Sequence, residues 1–90
     1  MNREAAEMLA IRGLQYLAGD AEQLDRFLAL SGVALDDLRL SATSPDFLSG
    51  VLDFFLSDET TLLAFSANAG CDPGDVMIAR NCLSRQDHGE

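Results

Sequence analysis

Residues 14–40 of this chain are echoed without a gap by residues 52–78. Leu14, Asp20, Leu24, Phe27, Ala29, Gly32 and Asp37 recur as Leu52, Asp58, Leu62, Phe65, Ala67, Gly70 and Asp75. Between them lie conservative pairs: Tyr16 with Phe54, Leu17 with Phe55, Leu38 with Val76, and Leu40 with Ile78. A chain of 90 residues cannot build two independent cores, so the two copies must share one. The sequence therefore predicts a single domain over residues 1–83, with the polar residues 84–90 as a flexible tail.

The echoed residues are helix punctuation. Aspartate before an apolar stretch accepts the first free backbone amides of a helix, and glycine behind one supplies the left-handed residue that ends it. Six helices follow from this reading. The first spans Arg3–Ala18, capped by Asn2, with Ala10, Ile11, Leu14 and Leu17 at core spacing. The second starts at the capping box Asp20-Ala21-Glu22-Gln23 and runs to Ser31, with Leu24, Phe27, Leu28 and Ser31 inward, Gly32 behind it and Val33 packing back. A short third helix covers Leu35–Leu40 and ends near Ser41-Ala42-Thr43.

The fourth opens on Ser44-Pro45-Asp46, a serine cap with proline where its missing amide costs nothing. It continues to Leu56 with a narrow polar stripe of Ser49 and Asp53, which makes it the most buried of the set. The fifth runs Glu59–Ala69 behind Asp58, and the sixth from Asp72-Pro73-Gly74-Asp75 to about Leu83. No segment alternates apolar and polar residues with β-branched enrichment. The fold class is all-α: a compact six-helix bundle of two similar three-helix halves packed face to face.

Apolar residues make up 48% of the chain, the proportion of a globular domain. The longest apolar stretch is broken by Ser49, Gly50 and Asp53, well short of a membrane span. Glu4 and Glu7 stand where a secretory signal would be cationic, so a cytoplasmic protein is expected, with Cys71 and Cys82 as free thiols. The formal charge is −9, with six arginines and no lysine, a field that repels phosphate backbones. Much of that charge sits in helix first turns, where carboxylates complement the dipole.

The residues offer little chemistry. Gly32 with Leu38, and Gly70 with Val76, have helix-turn-helix spacing, but the helices behind them begin with Asp36-Asp37 and with Asp72 and Asp75. The acid pairs lack the alternate-position spacing of a calcium loop, and two cysteines with one distant histidine, His88, cannot complete a zinc site. Cys71 lies near a helix start, which can activate a thiol, yet no base is placed beside it. No catalytic residue, metal, cofactor or small-molecule ligand is indicated. What remains is a disagreement between the copies: Asp25, Arg26 and Ala29 on the outer side of the second helix align with Leu63, Ala64 and Ala67. Those three form a candidate interaction patch for another protein or a second copy.

Asp25-Arg26-Phe27-Leu28-Ala29-Leu30-Ser31-Gly32, then Asp37-Leu38-Arg39, then Pro45-Asp46-Phe47-Leu48 with Val51-Leu52-Asp53-Phe54, resembles a bacterial family of small helical proteins of unknown function. The aspartate-started segment Asp58 to Phe65 and the Ala-Gly-x-Asp-Pro turn at Ala69 to Pro73 carry the resemblance on. Ala34 departs from it, where a polar cap is usual. The resemblance implies no activity, cofactor or site. The reading is a non-enzymatic protein-interaction or self-associating helical module; the alternatives are a helix-turn-helix-like DNA-associated regulator and a small thiol-reactive or enzymatic protein.

Overall fold

A computed structural model describes residues 1–32, 34–37 and 44–86. Among them are five α-helices and no strand: α1 (Arg3–Ala18), α2 (Ala21–Ser31), α3 (Pro45–Leu56), α4 (Glu59–Ala69) and α5 (Pro73–Gln86). Of the expected third of six helices, Leu35–Leu40, only the first three residues are described. Leu35–Asp37 is a single 3-10 turn, and Leu38–Leu40, with the expected stop at Ser41-Ala42-Thr43, lies outside the described residues. The two copies differ at this turn. In both copies an amide closes on a carbonyl three residues back, Asp37 on Ala34 and Asp75 on Asp72. Only the second adds the reciprocal bond, from the Asp72 amide to Asp75 Oδ2 at 3.3 Å. Asp37 holds the place of Asp75 in the first copy, but among the described residues it takes no such bond from the Ala34 amide, and Ala34 stands where the second copy has Asp72.

The other punctuation is largely as expected. Asn2 Oδ1 accepts from the Ala5 amide at 2.8 Å, and Asp20 Oδ1 from that of Gln23 at 3.4 Å. Asp58 accepts from the Thr60 amide at 3.1 Å and from the Thr61 hydroxyl at 2.9 Å. Gly32 and Gly70 both sit at positive φ, 76° and 72°, each donating its amide four residues back. Ser44 is the exception, since it makes no side-chain cap bond; Pro45 opens the helix and Asp46 lies in its first turn. The last helix runs on to Gln86, past the expected end at Leu83.

The core is built by α1, α3 and α5. Contact is most extensive between α3 and α5, then between α1 and α5, then between α1 and α3; α2 and α4 pack on the flanks. Arrangement in two face-to-face halves is thus refined, because α5 of the second half lies against α1 of the first. As its pattern predicts, α3 buries Phe47, Leu48, Val51, Leu52, Phe54 and Phe55. Ser49 is buried with them, which leaves Asp53 as the exposed polar position on that side. On α1 the inward residues are Ala6, Leu9, Ala10, Gly13 and Leu17, with Ile11 exposed and Leu14 half-buried. Helical spacing with Ala10, Leu14 and Leu17 places Ile11 inward, and the structure does not. The helix instead turns a stripe of small residues to its neighbours, and this brings the backbones closer than a large side chain would. On α2, Phe27 is buried, Leu24 and Leu28 are half-buried, and Ser31 is exposed.

All six aromatic rings form one connected chain. Phe47 meets Phe27 edge-on at 5.6 Å, Phe27 meets Phe54 at 5.6 Å, and Phe54 meets Phe55 at 5.7 Å. Phe55 stacks on Phe65 at 4.4 Å, with Tyr16 against both at 5.9 and 5.8 Å. Each of α1, α2, α3 and α4 contributes, so these contacts fix the flanking helices to the central layer.

Candidate functional site

Leu63, Ala64 and Ala67 lie on the outer side of α4, all exposed, with Leu63 at 49%. The inner side of that helix is Thr61, Phe65 and Ser66, with Leu62 and Ala69 half-buried. The three predicted patch residues are therefore together, but they line none of the three grooves described below. Leu63 is the single large side chain among them.

A more enclosed apolar surface lies where sequence reasoning did not look. Met1, Ala5, Met8, Leu9 and Arg12 of the first helical turns face Cys71 and Asp75 across a groove of about 380 Å³. Positions 5, 8 and 12 recur at helical spacing and form a second stripe on α1 beside its buried one, with Met1 ahead of the helix. That spacing was the available signal. It precedes the echoed segment, so comparison of the two copies could not expose it. Met1 and Met8 remain 52% and 54% exposed even with the groove walls in place. The far wall is set by the end of α4. Gly70 turns the chain at positive φ, and the Cys71 amide donates back to the Ser66 carbonyl at 3.0 Å, the six-to-one bond of a left-handed helix stop. Cys82 of α5 donates its thiol to the Met1 carbonyl at 3.4 Å, which ties the chain start to α5.

Cys71 is half-buried, and burial is the main cause of a pKa above the ordinary thiol value. The carboxylates of Asp75 and Asp72 push it further up. Hydrogen bonding to Ser66 and the Arg12 charge pull the other way without prevailing. The Ser66 contact is of poor geometry: its buried Oγ has no partner at standard hydrogen-bond criteria. This is the reverse of the environment that activates a nucleophilic thiol.

Two further grooves lie among the described residues. A polar one of about 610 Å³ is lined by Arg12, Gln15, Tyr16, Gly19, Asp20, Asn68 and Ala69, so Arg12 borders both. An apolar one of about 290 Å³ lies between α2 and α3, beside Leu30. Elsewhere the polar side chains serve the fold. Arg80 Nε donates to Asp53 Oδ1 at 2.7 Å, joining α5 to α3, and Arg26 lies 3.9 Å from the Asp58 cap. Among the described residues no three of His, Cys, Asp or Glu gather as a metal set would require. Val33, Arg39 and His88 lie outside those residues.

Fold and surface together define a small all-α domain made from a repeated cap, helix and glycine stop, with an apolar groove beside its first helix. The chain belongs to the family described as Protein of unknown function (DUF3572), which it matches over residues 3–86. No curated protein and no solved structure matches it. Among the described residues, no helix is long and apolar enough to cross a membrane.

Proposed function

We propose that this domain is a non-enzymatic interaction module of the cytoplasm that docks on another protein through the groove between α1 and the α4–α5 turn. One observation carries the reading. Met1 and Met8 stay about half exposed around an apolar groove although the core is complete without them. Methionine is flexible and polarisable, and it is over-used where a surface must accept apolar side chains of another chain. A heterologous partner is favoured over a second copy because each copy carries −9, so self-association brings like charges together.

The DNA-binding alternative gains no support from Arg80, whose guanidinium is engaged by Asp53. The thiol alternative runs against the direction of the Cys71 pKa. A photo-crosslinking residue at position 8 should give one discrete heterologous adduct in the native cell. Excess wild-type protein should compete it away, and the Met8→Asp protein should not. Adducts from position 63 instead would move docking to Leu63, Ala64 and Ala67, and dimer-sized adducts alone would replace partner docking with self-association.

A further inference from the structure

We infer that the groove beside α1 receives a basic amphipathic segment of another protein, one or two of whose apolar side chains enter between Met8, Leu9 and Cys71 while its lysines or arginines face the surrounding carboxylates. This rests on the docking reading above and names the chemistry of the partner. The floor supplies the apolar half of the match, since Ala5, Met8 and Leu9 of α1, with Met1 ahead of the helix, line the groove.

The rim supplies the other half. Asp75 lines the groove, Asp72 precedes it at the exposed start of α5, and Glu4 stands exposed on α1 one turn before Met8. Three cations lie close by: Arg3, Arg12 and the α-ammonium of Met1, which itself lines the groove. Arg3 is paired with Glu7 at 3.6 Å, so its charge is largely spent within α1. Arg12 stands at the end shared with the polar groove and has no ion-pair partner among the described residues. The field beside the thiol is nonetheless negative, because Asp75 and Asp72 outweigh Arg12 at Cys71. A cationic segment whose apolar anchor seats against Met8 and Cys71 meets Glu4 on α1 and Asp72 and Asp75 at the start of α5. Short apolar stripes with charged borders are how amphipathic helices are commonly seated in grooves. The chain-wide charge of −9 adds long-range attraction for such a segment and repels acidic ones.

The test uses the full chain and fluorescence anisotropy with a labelled designed helix of about 18 residues, roughly five turns, bearing leucines on one stripe and lysines elsewhere. Saturable binding is expected, weakened about tenfold by Met8→Asp and about threefold by Asp72→Asn, a change that keeps a capping side chain. Leu63→Asp should leave affinity unchanged. Replacing the leucines of the probe by serine should abolish binding, and so should replacing its lysines by glutamate. Equal binding of the serine probe, or insensitivity to Met8→Asp, would overturn the proposal as mere attraction between opposite charges. If the glutamate probe binds and the lysine probe does not, the partner chemistry is wrong while groove docking stands. If no probe binds and position 8 gives no crosslink, docking itself fails.

Discussion

Gly13 is buried in the middle of α1, where glycine costs about 1 kcal/mol of helix propensity against alanine. A Cβ there would lie 2.8 Å from Phe55 Cε2 and 3.2 Å from Val51 Cγ1. Phe55 is fully buried and stacked on Phe65, so its ring has little room to yield. Overpacking typically costs about 1–3 kcal/mol, which should exceed the propensity gain. Gly13→Ala is expected to lower the urea midpoint, and a raised midpoint would show that α1 and α3 are less tightly apposed. Cys71 makes a second test at this scale. Its folded pKa is raised, so at neutral pH the thiol is protonated in folded and unfolded chains alike and alkylation should be slower than that of a free thiol. The sign of the pH effect follows: the associated stability is intact below the unfolded thiol pKa and is lost as pH rises through the folded one. Because the thiol is only half-buried, the loss should be small, and Cys71→Ser should remove that part of the alkaline slope seen in denaturation curves.

At the scale of the helix, the equivalent caps Asp20 and Asp58 are not equal in what they hold. Asp20 accepts one long bond from the Gln23 amide at 3.4 Å. Asp58 accepts from the Thr60 amide and the Thr61 hydroxyl and has Arg26 of α2 nearby at 3.9 Å. Loss of an N-cap costs about 0.5–2 kcal/mol, so Asp58→Ala should fall toward the upper end and Asp20→Ala toward the lower in thermal unfolding. Equal losses would mean that the extra partners of Asp58 contribute nothing. That both aspartates are caps was legible in the sequence, because helix starts and stops are local events encoded within four residues. The glycine stops were legible for the same reason. The inward side of α1 was not, because Ala6, Ala10 and Gly13 are inward through close approach to other helices, and that choice over Ile11 is made by long-range packing. The groove escaped for a related reason. Met8 lies on α1 and Cys71 beyond α4, and no periodicity within one helix shows that they face each other. By contrast Leu63, Ala64 and Ala67 were found from the echo and are exposed, yet exposure on one helix does not make a groove.

The described fold measures 36 × 28 × 18 Å, and 18 Å leaves room for about two helix layers at a usual interaxial spacing of 8–10 Å. In so thin a slab most charges face solvent and act on one another through water. At about 0.01 M salt the screening length is roughly 30 Å, comparable with the whole molecule, whereas at 0.15 M it is about 8 Å and only neighbours interact. The excess of −9 therefore repels itself across the slab at low salt. Salt also weakens the ion pairs Arg3–Glu7, Arg26–Asp58 and Arg80–Asp53 seen among the described residues, but exposed pairs of this kind contribute only about 0–1 kcal/mol each. Relief of the net repulsion should prevail, and Tm should rise by a few degrees over that salt range, since about 1 kcal/mol corresponds to roughly 4–8 °C in a domain of this size. A falling Tm would mean that the ion pairs outweigh the excess charge. The same screening should weaken binding of a basic segment in the α1 groove while strengthening any association between like-charged copies. Opposite responses of fold stability and partner affinity to added salt thus follow from one charge distribution, and parallel increases in Tm and in self-association would instead favour a dimer.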